Sequence, residues 1–193
     1  MQTATLRPTG NGTIEYHTGA YSHLINWDTA YAQIDEESVN DADYFGVSTD
    51  GANYTGVRGR RTFVLQDAPA IGIPESVTIY FRGRANWASI GGPADCSIQP
   101  LLYTHSQLVY GNALNLQSEL AWITNSQIWT TNPVTGQPWT WEEINALEPG
   151  VELYSHAYYS NAGSYMHCSW LYVEIACRVP SPNGSPQIIG LLW

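Results

Sequence analysis

The chain has 193 residues, enough for one domain with a sizeable core, and a formal net charge of −10 at pH 7. Its seven basic residues, all arginine, face 17 acidic ones, which excludes general binding to nucleic-acid backbones or anionic membranes, because both need many basic contacts. Eight Trp and 13 Tyr accompany a charged fraction of only 12%, a combination that favours β-structure with much amphipathic surface.

Strands are predicted along most of the chain. Residues 1–12 contain Pro, Gly and polar side chains, and we expect an N-terminal arm or an edge strand. Beyond them, short apolar or alternating runs are separated by turn residues, and the alternation is clearest at Val77, Ile79 and Phe81. The nine predicted strands are Thr13–Tyr16, Ser22–Asn26, Tyr44–Ser48, Arg61–Gln66, Ser76–Arg84, Ser97–Tyr103, Ala121–Trp129, Val151–Tyr159 and Met166–Arg178.

One short α-helix is predicted near residues 140–148. Thr140 and Glu143 have the spacing of a capping box, and Pro149 with Gly150 ends the helix. A weaker helical segment is predicted around Ala113–Gln117. Because strands and helices do not alternate, the fold class predicted for residues 13–179 is all-β: an antiparallel β-sandwich, jelly-roll-like, with one short helix.

Two segments carry a family resemblance. Trp129 to Val151 reads W-T-T-N-P-V-T-G-Q-P-W-T-W-E-E-I-N-A-L-E-P-G-V, and Leu171 to Ile175 reads L-Y-V-E-I. Both resemble a recurring pattern in tailed-bacteriophage virion proteins. The segment of this chain from Leu6 to Gly12 loosely matches the opening of that pattern. The resemblance implies a β-sandwich structural protein of the phage particle. A small acidic domain without a stalk suits capsid decoration, which is the first expectation; a tail-associated subunit is the second.

The C-terminal residues 180–193 are predicted to be a turn-rich connector followed by an apolar tail. The tail must be covered, either as a last strand of its own sheet or by docking on a neighbouring subunit. We expect virion proteins as partners, a homo-oligomer, and a virion location, since no signal peptide follows Met1 and synthesis would be in the host cytoplasm. The apolar tail residues are Ile188, Ile189, Leu191, Leu192 and Trp193.

Arginine pairs flank two predicted strands. Arg58 and Arg60 precede one strand, while Arg82 and Arg84 end another, and with Arg61 they are expected to form one positive patch. Such a patch would dock an acidic partner surface through the planar guanidinium groups. Internal pairing with the chain's own acidic residues is an equal alternative.

No catalytic, cofactor or metal site is predicted. The acidic run from Asp35 to Asp43 lacks the order of a calcium loop, so a solvated loop is favoured. The five histidines have no metal-ligand spacing, and His167 and Cys168 should face opposite ways as strand neighbours. Cys168 and Cys177, nine apart in one strand, are likewise expected on opposite faces, as buried free thiols.

The aromatic residues give the alternative function. A glycan-binding attachment module on the same sandwich, recognising a host glycan, would use Trp139, Trp141 and Tyr158 as stacking surfaces. Packing in the core is the favoured role for such large rings. A non-enzymatic virion structural protein is therefore the leading prediction and glycan binding the alternative.

Overall fold

The computed structural model describes residues 1–18, 22–49, 56–87, 94–116, 121–157 and 163–179. In these ranges the chain forms two six-stranded antiparallel sheets packed face to face, with one short α-helix. The predicted antiparallel sandwich is therefore confirmed. The strands in chain order are β1 (Gln2–Leu6), β2 (Pro8–Thr18), β3 (Ser22–Ile25), β4 (Phe45–Thr49), β5 (Val57–Leu65), β6 (Ile73–Trp87), β7 (Ala94–Thr104), β8 (Gln107–Tyr110), β9 (Leu114–Asn115), β10 (Ile123–Trp129), β11 (Glu148–Ala157) and β12 (Ser164–Arg178).

Successive long strands alternate between the sheets, which is a jelly-roll connectivity. Sheet A has the order β10-β6-β12-β4-β3, with β1 pairing with the second half of β12. Sheet B has the order β2-β5-β11-β7-β8, with β9 also pairing with β7. A short 3₁₀ helix, Ala30–Gln33, lies between β3 and β4. Residues 1–12 thus contribute to both sheets, and residues 180–193 lie outside the described residues.

The core lies between the sheets and follows the period-2 patterns. Phe81 of β6 pairs directly with Leu171 of β12, and Ile79 pairs with Val173, all with at most 1% exposure. Each such side chain stabilises the fold by about 1.5–3 kcal/mol when fully buried. The alternate residues of the same strands form the outer face of sheet A.

Two local predictions are wrong. Within the predicted helical segment Ala113–Gln117, Leu114 and Asn115 form a strand instead, because pairing with β7 supplies their hydrogen bonds. Cys168 and Cys177 both point into the core, because a β-bulge between Cys168 and Trp170 adds a residue and reverses the alternation. Both remain buried free thiols.

Helix α1 (Trp141–Asn145) begins with the predicted capping box. The Thr140 hydroxyl accepts from the Glu143 amide at 3.2 Å, and the Glu143 carboxylate accepts from the Thr140 amide at 2.9 Å. The helix is shorter than residues 140–148, because Glu148 already belongs to β11 and pairs with Tyr103. No helix in the described part of the chain has the length and apolar character needed to cross a membrane.

Candidate functional site

The arginines do not form one patch. Arg58 and Arg60 lie on β5 of sheet B, whereas Arg82 and Arg84 lie on β6 of sheet A, so the two pairs face away from each other across the sandwich. The single-patch prediction is wrong because the chain changes sheets between these strands. Arg61, which alternates with Arg60 along β5, is buried and pairs at 2.5 Å with Glu15.

On the outer face of sheet A, Arg82 is paired with an acidic residue of the same chain. Its Nε and Nη2 donate to the two carboxylate oxygens of Asp41 at 2.8 and 2.9 Å, which lowers the pKa of Asp41. The backbone oxygen of Glu36 accepts bonds from Arg7 and Trp170, so the acidic run is tied to this face. No group of three His, Cys, Asp or Glu residues in the described ranges is placed to hold a metal.

Aromatic rings on the same face are also engaged with one another. Tyr80 and Tyr172 stack at 4.7 Å with an interplanar angle of 4°, and Trp170 packs on Tyr172 at 4.5 Å. These ring faces are turned toward neighbouring rings and give no flat platform parallel to the sheet. Arg84 lies over Trp122 at 4.7 Å from the ring centroid.

His167 is enclosed beside this cluster. It is 4% exposed, stacks on Tyr44 at 4.3 Å, and has no hydrogen-bond partner at either ring nitrogen. Burial, with a smaller contribution from the charge of Arg84, lowers the pKa of His167 to about 4. The prediction that His167 and Cys168 face opposite ways is confirmed, since Cys168 lies in the core.

The outer face of sheet B has a different organisation. Tyr16 pairs with Arg60, Arg60 with Glu152, and Glu152 with Gln99, so these residues form one continuous row across β2, β5, β11 and β7. We call these four residues the Arg60 row. Because alternate residues of a strand share a face, the next row along contains Arg58, Tyr154 and Ser97.

Glu152 binds both arginines of this face. It is only 4% exposed, although it lies on the outer side of the sheet. One carboxylate oxygen accepts from Arg58 Nη1 at 2.6 Å, and the other accepts from Arg60 Nε. These charge-assisted bonds raise the pKa of Arg60 and offset the cost of burying the carboxylate. The two guanidinium groups are consequently held in fixed positions.

Tyrosine rings flank both arginines. The Arg60 guanidinium carbon lies 5.0 Å from the ring centroid of Tyr16 and 5.4 Å from that of Tyr110, and Arg58 lies 4.4 Å from that of Tyr154. Tyr16 and Tyr110 remain 46% and 38% exposed. The face therefore combines open aromatic surface with oriented polar groups.

A cavity of about 280 Å³ adjoins the second row. Its lining includes Arg58, Asp95, Ser97, Asn115 and Tyr154. On sheet B, Thr13 and Ile14 of β2 bind Glu148 and Thr62 at one end of the face, away from this cavity. On sheet A, residues 35–43 are bound across the face by Arg82 and Trp170. The outer face of sheet B is therefore the better candidate for binding an external ligand.

A second cleft, of about 460 Å³, lies between the β7–β8 turn and α1. Its Glu143 carboxylate is occupied by the capping box and by the side-chain amide of Asn132 at 3.1 Å. His105 lies 3.4 Å from the same carboxylate. These contacts account for the polar residues of the cleft as a support for the helix.

The sequence-predicted glycan residues are placed differently from expectation. Trp139 is 3% exposed, with its Nε1 donating to the Trp129 carbonyl at 3.0 Å, so it cannot stack on a sugar. Trp141 is half-buried and donates to the Gly72 carbonyl at 2.8 Å. Tyr158 lies outside the described residues, as do Ile188, Ile189, Leu191, Leu192 and Trp193.

Sequence reasoning found Arg58 and Arg60 but missed their partners. Glu152, Tyr154 and His156 alternate along one strand, which is a detectable signal for a shared face. Their placement beside the arginines depends on the β5–β11 register, which periodicity does not specify.

Comparisons with known proteins give structural similarities only; no protein-family model and no curated protein matches the chain. A xylan-binding domain from Paenibacillus barcinonensis is similar at 10% identity and TM-score 0.39, covering 90% of this chain and 94% of that one. A carbohydrate-binding module in complex with β-1,4-galactotriose has 8% identity and TM-score 0.38, covering 86% of this chain and 90% of that one. The enzymatically active domain of bacteriophage CBA120 tailspike protein 4 has 9% identity and TM-score 0.36, covering 90% and 19%. With TM-scores below 0.5, none of these similarities assigns a function to this chain.

Proposed function

We propose that the protein is a non-catalytic glycan-binding module whose ligand lies on the outer face of sheet B. The observation that carries the proposal is the arrangement around Glu152: its buried carboxylate binds the guanidinium groups of Arg58 and Arg60, and the exposed rings of Tyr16 and Tyr110 flank Arg60. A sugar ring presents both C–H surface and hydroxyl groups, and this face offers partners for both. Rings with an apolar body and a polar edge suit such a ligand.

The site is organised before any ligand arrives. Arg58 and Arg60 are held at their inner ends by Glu152 and along their planes by tyrosine rings, so little side-chain entropy remains to be lost. Gln99, opposite Glu152, donates to the Gly111 carbonyl at 2.8 Å. Fixed donors of this kind orient a sugar hydroxyl, while the tyrosines supply contact area.

The contacts of Glu152 also support a binding role over a catalytic one. A general acid or base must exchange a proton with the substrate. Both Glu152 oxygens are engaged by guanidinium groups and the side chain is 5% exposed. The role of Glu152 is therefore to position Arg58 and Arg60.

Replacing the flanking rings tests this function. Tyr16→Ala and Tyr110→Ala each remove ring surface from the face, and we expect each to weaken oligosaccharide binding about tenfold, the equivalent of about 1.4 kcal/mol. Isothermal titration calorimetry across a panel of neutral oligosaccharides measures the loss. Tyr80→Ala, on sheet A, is the matched control and should leave affinity unchanged. Binding that survives both sheet B substitutions, or no binding by the wild type to any panel member, rejects the proposal.

We further propose that this module belongs to a tailed-phage particle, as a capsid decoration or tail-associated protein. The Trp129–Val151 resemblance supports this setting, and its capping box is formed in the structure. Co-sedimentation of the protein with purified particles is the expected result, with weaker association after deletion of residues 187–193. A protein that never accompanies particles would remove the setting and leave glycan binding intact.

A further inference from the structure

We infer that the outer face of sheet B selects uncharged saccharides with adjacent hydroxyl groups and rejects saccharides that carry carboxylates. The inference rests on the proposed function, because it names the ligand class of the same face. It comes from the charge balance around Arg58, Arg60 and Glu152 and from the donors that their contacts leave open.

The face has no excess of positive charge. Arg58 and Arg60 contribute two positive charges, while Glu152, paired with both, Asp95, in the adjoining cavity, and Glu148, at the Thr62 end of the face, contribute three negative ones. The whole chain has a net charge of −10. A carboxylate approaching the arginines would meet Glu152 on the same two guanidinium groups, and like charges at about 4–6 Å disfavour each other.

The open donors suit hydroxyl oxygens. Among the described residues, the Arg60 side chain donates hydrogen bonds only through Nε, to Glu152. Its terminal nitrogens therefore remain as a planar pair of donors on a side chain that is 30% exposed. Two adjacent hydroxyl oxygens of a sugar can accept from such a pair without bringing a charge. The tyrosine rings of Tyr16 and Tyr110 flank the same position.

Charge selectivity is tested with matched ligands. Neutral hexose oligosaccharides are compared with oligosaccharides of the same linkage whose C6 groups are carboxylates. We expect the wild type to prefer the neutral ligand by about tenfold or more. A neutral ligand forms no ion pairs with the face. Its affinity should therefore change less than about twofold between low and high salt, where screening weakens interactions between surface charges.

Glu152→Gln removes the negative charge that contacts both arginines. The amide keeps the shape of the side chain but leaves two uncompensated guanidinium groups, so the preference for neutral over acidic ligand should fall by about tenfold. Glu15→Gln is the matched control, since it makes the same charge change at the exposed partner of Arg61 and should leave the preference unchanged.

The outcomes separate the two proposals. A wild type that prefers the acidic ligand, or whose neutral-ligand affinity falls steeply with salt, overturns the selectivity and leaves glycan binding standing. A wild type that binds neither ligand series overturns glycan binding itself. If Glu152→Gln does not fold, the wild-type preference and its salt dependence still decide the inference.

Discussion

His167 is buried without a hydrogen bond at either ring nitrogen, and this gives the outer face of sheet A a pH-dependent weakness. The charged or titratable side chains around it are Arg84, Tyr44 and Tyr165. None of these is an anion that would stabilise a protonated imidazole at neutral or acidic pH. The ring is therefore neutral in the folded protein over most of the physiological range.

The sign of the effect follows from the pKa of His167, which falls from 6.5 to about 4 on folding. Below pH 6.5 the unfolded chain takes up the proton first, so stability is complete above that pH and is lost between about pH 6.5 and 4. The loss should reach about 3 kcal/mol. His167→Phe keeps the ring contact with Tyr44 and should remove this part of the pH dependence in urea unfolding measured from pH 7.5 to 4.

The exposed His17 provides the control for that measurement. His17→Gln should leave the wild-type pH dependence in place. An unchanged dependence in His167→Phe would show that the buried imidazole is not its source.

At the scale of elements, the strands and helix ends that depend on nearby residues could be predicted from the sequence. The strands with Val77 or Leu171 at alternate positions, and the start of α1 at the Thr140 cap, depend on neighbours in the chain. The β-bulge after Cys168 and the strand at Leu114 depend on pairing with distant residues. Periodicity contains no information about such pairing, so both were mispredicted.

The candidate site shows the same division. Arg58 and Arg60 could be predicted to share a face because they are two residues apart. Tyr16, Glu152 and Gln99 join them only through three strand pairings that connect residues up to about ninety positions apart. Likewise, the burial of Trp139 depends on tertiary packing, and its aromatic character alone did not reveal it.

On the scale of the whole molecule, the two sheets present unequal outer faces. Sheet A satisfies its arginine and aromatic groups internally through Asp41, Glu36 and ring stacking. Sheet B holds its arginines from below and leaves their outer sides open between tyrosines. Because the chain has a net charge of −10, an anionic ligand is repelled, whereas an uncharged polar ligand can use the hydrogen-bond donors and ring surfaces of sheet B without that cost.

The most direct test of this account is an NMR titration with the tightest-binding neutral oligosaccharide, observing backbone amides together with the arginine Nε–H signals. The account predicts saturable shifts of Arg60 Nε–H and of the amides of Tyr16, Glu152 and Gln99, with Tyr80 and Tyr172 unmoved. Shifts confined to the face around Tyr80 and Tyr172, or none at millimolar concentrations of any ligand tried, would contradict it.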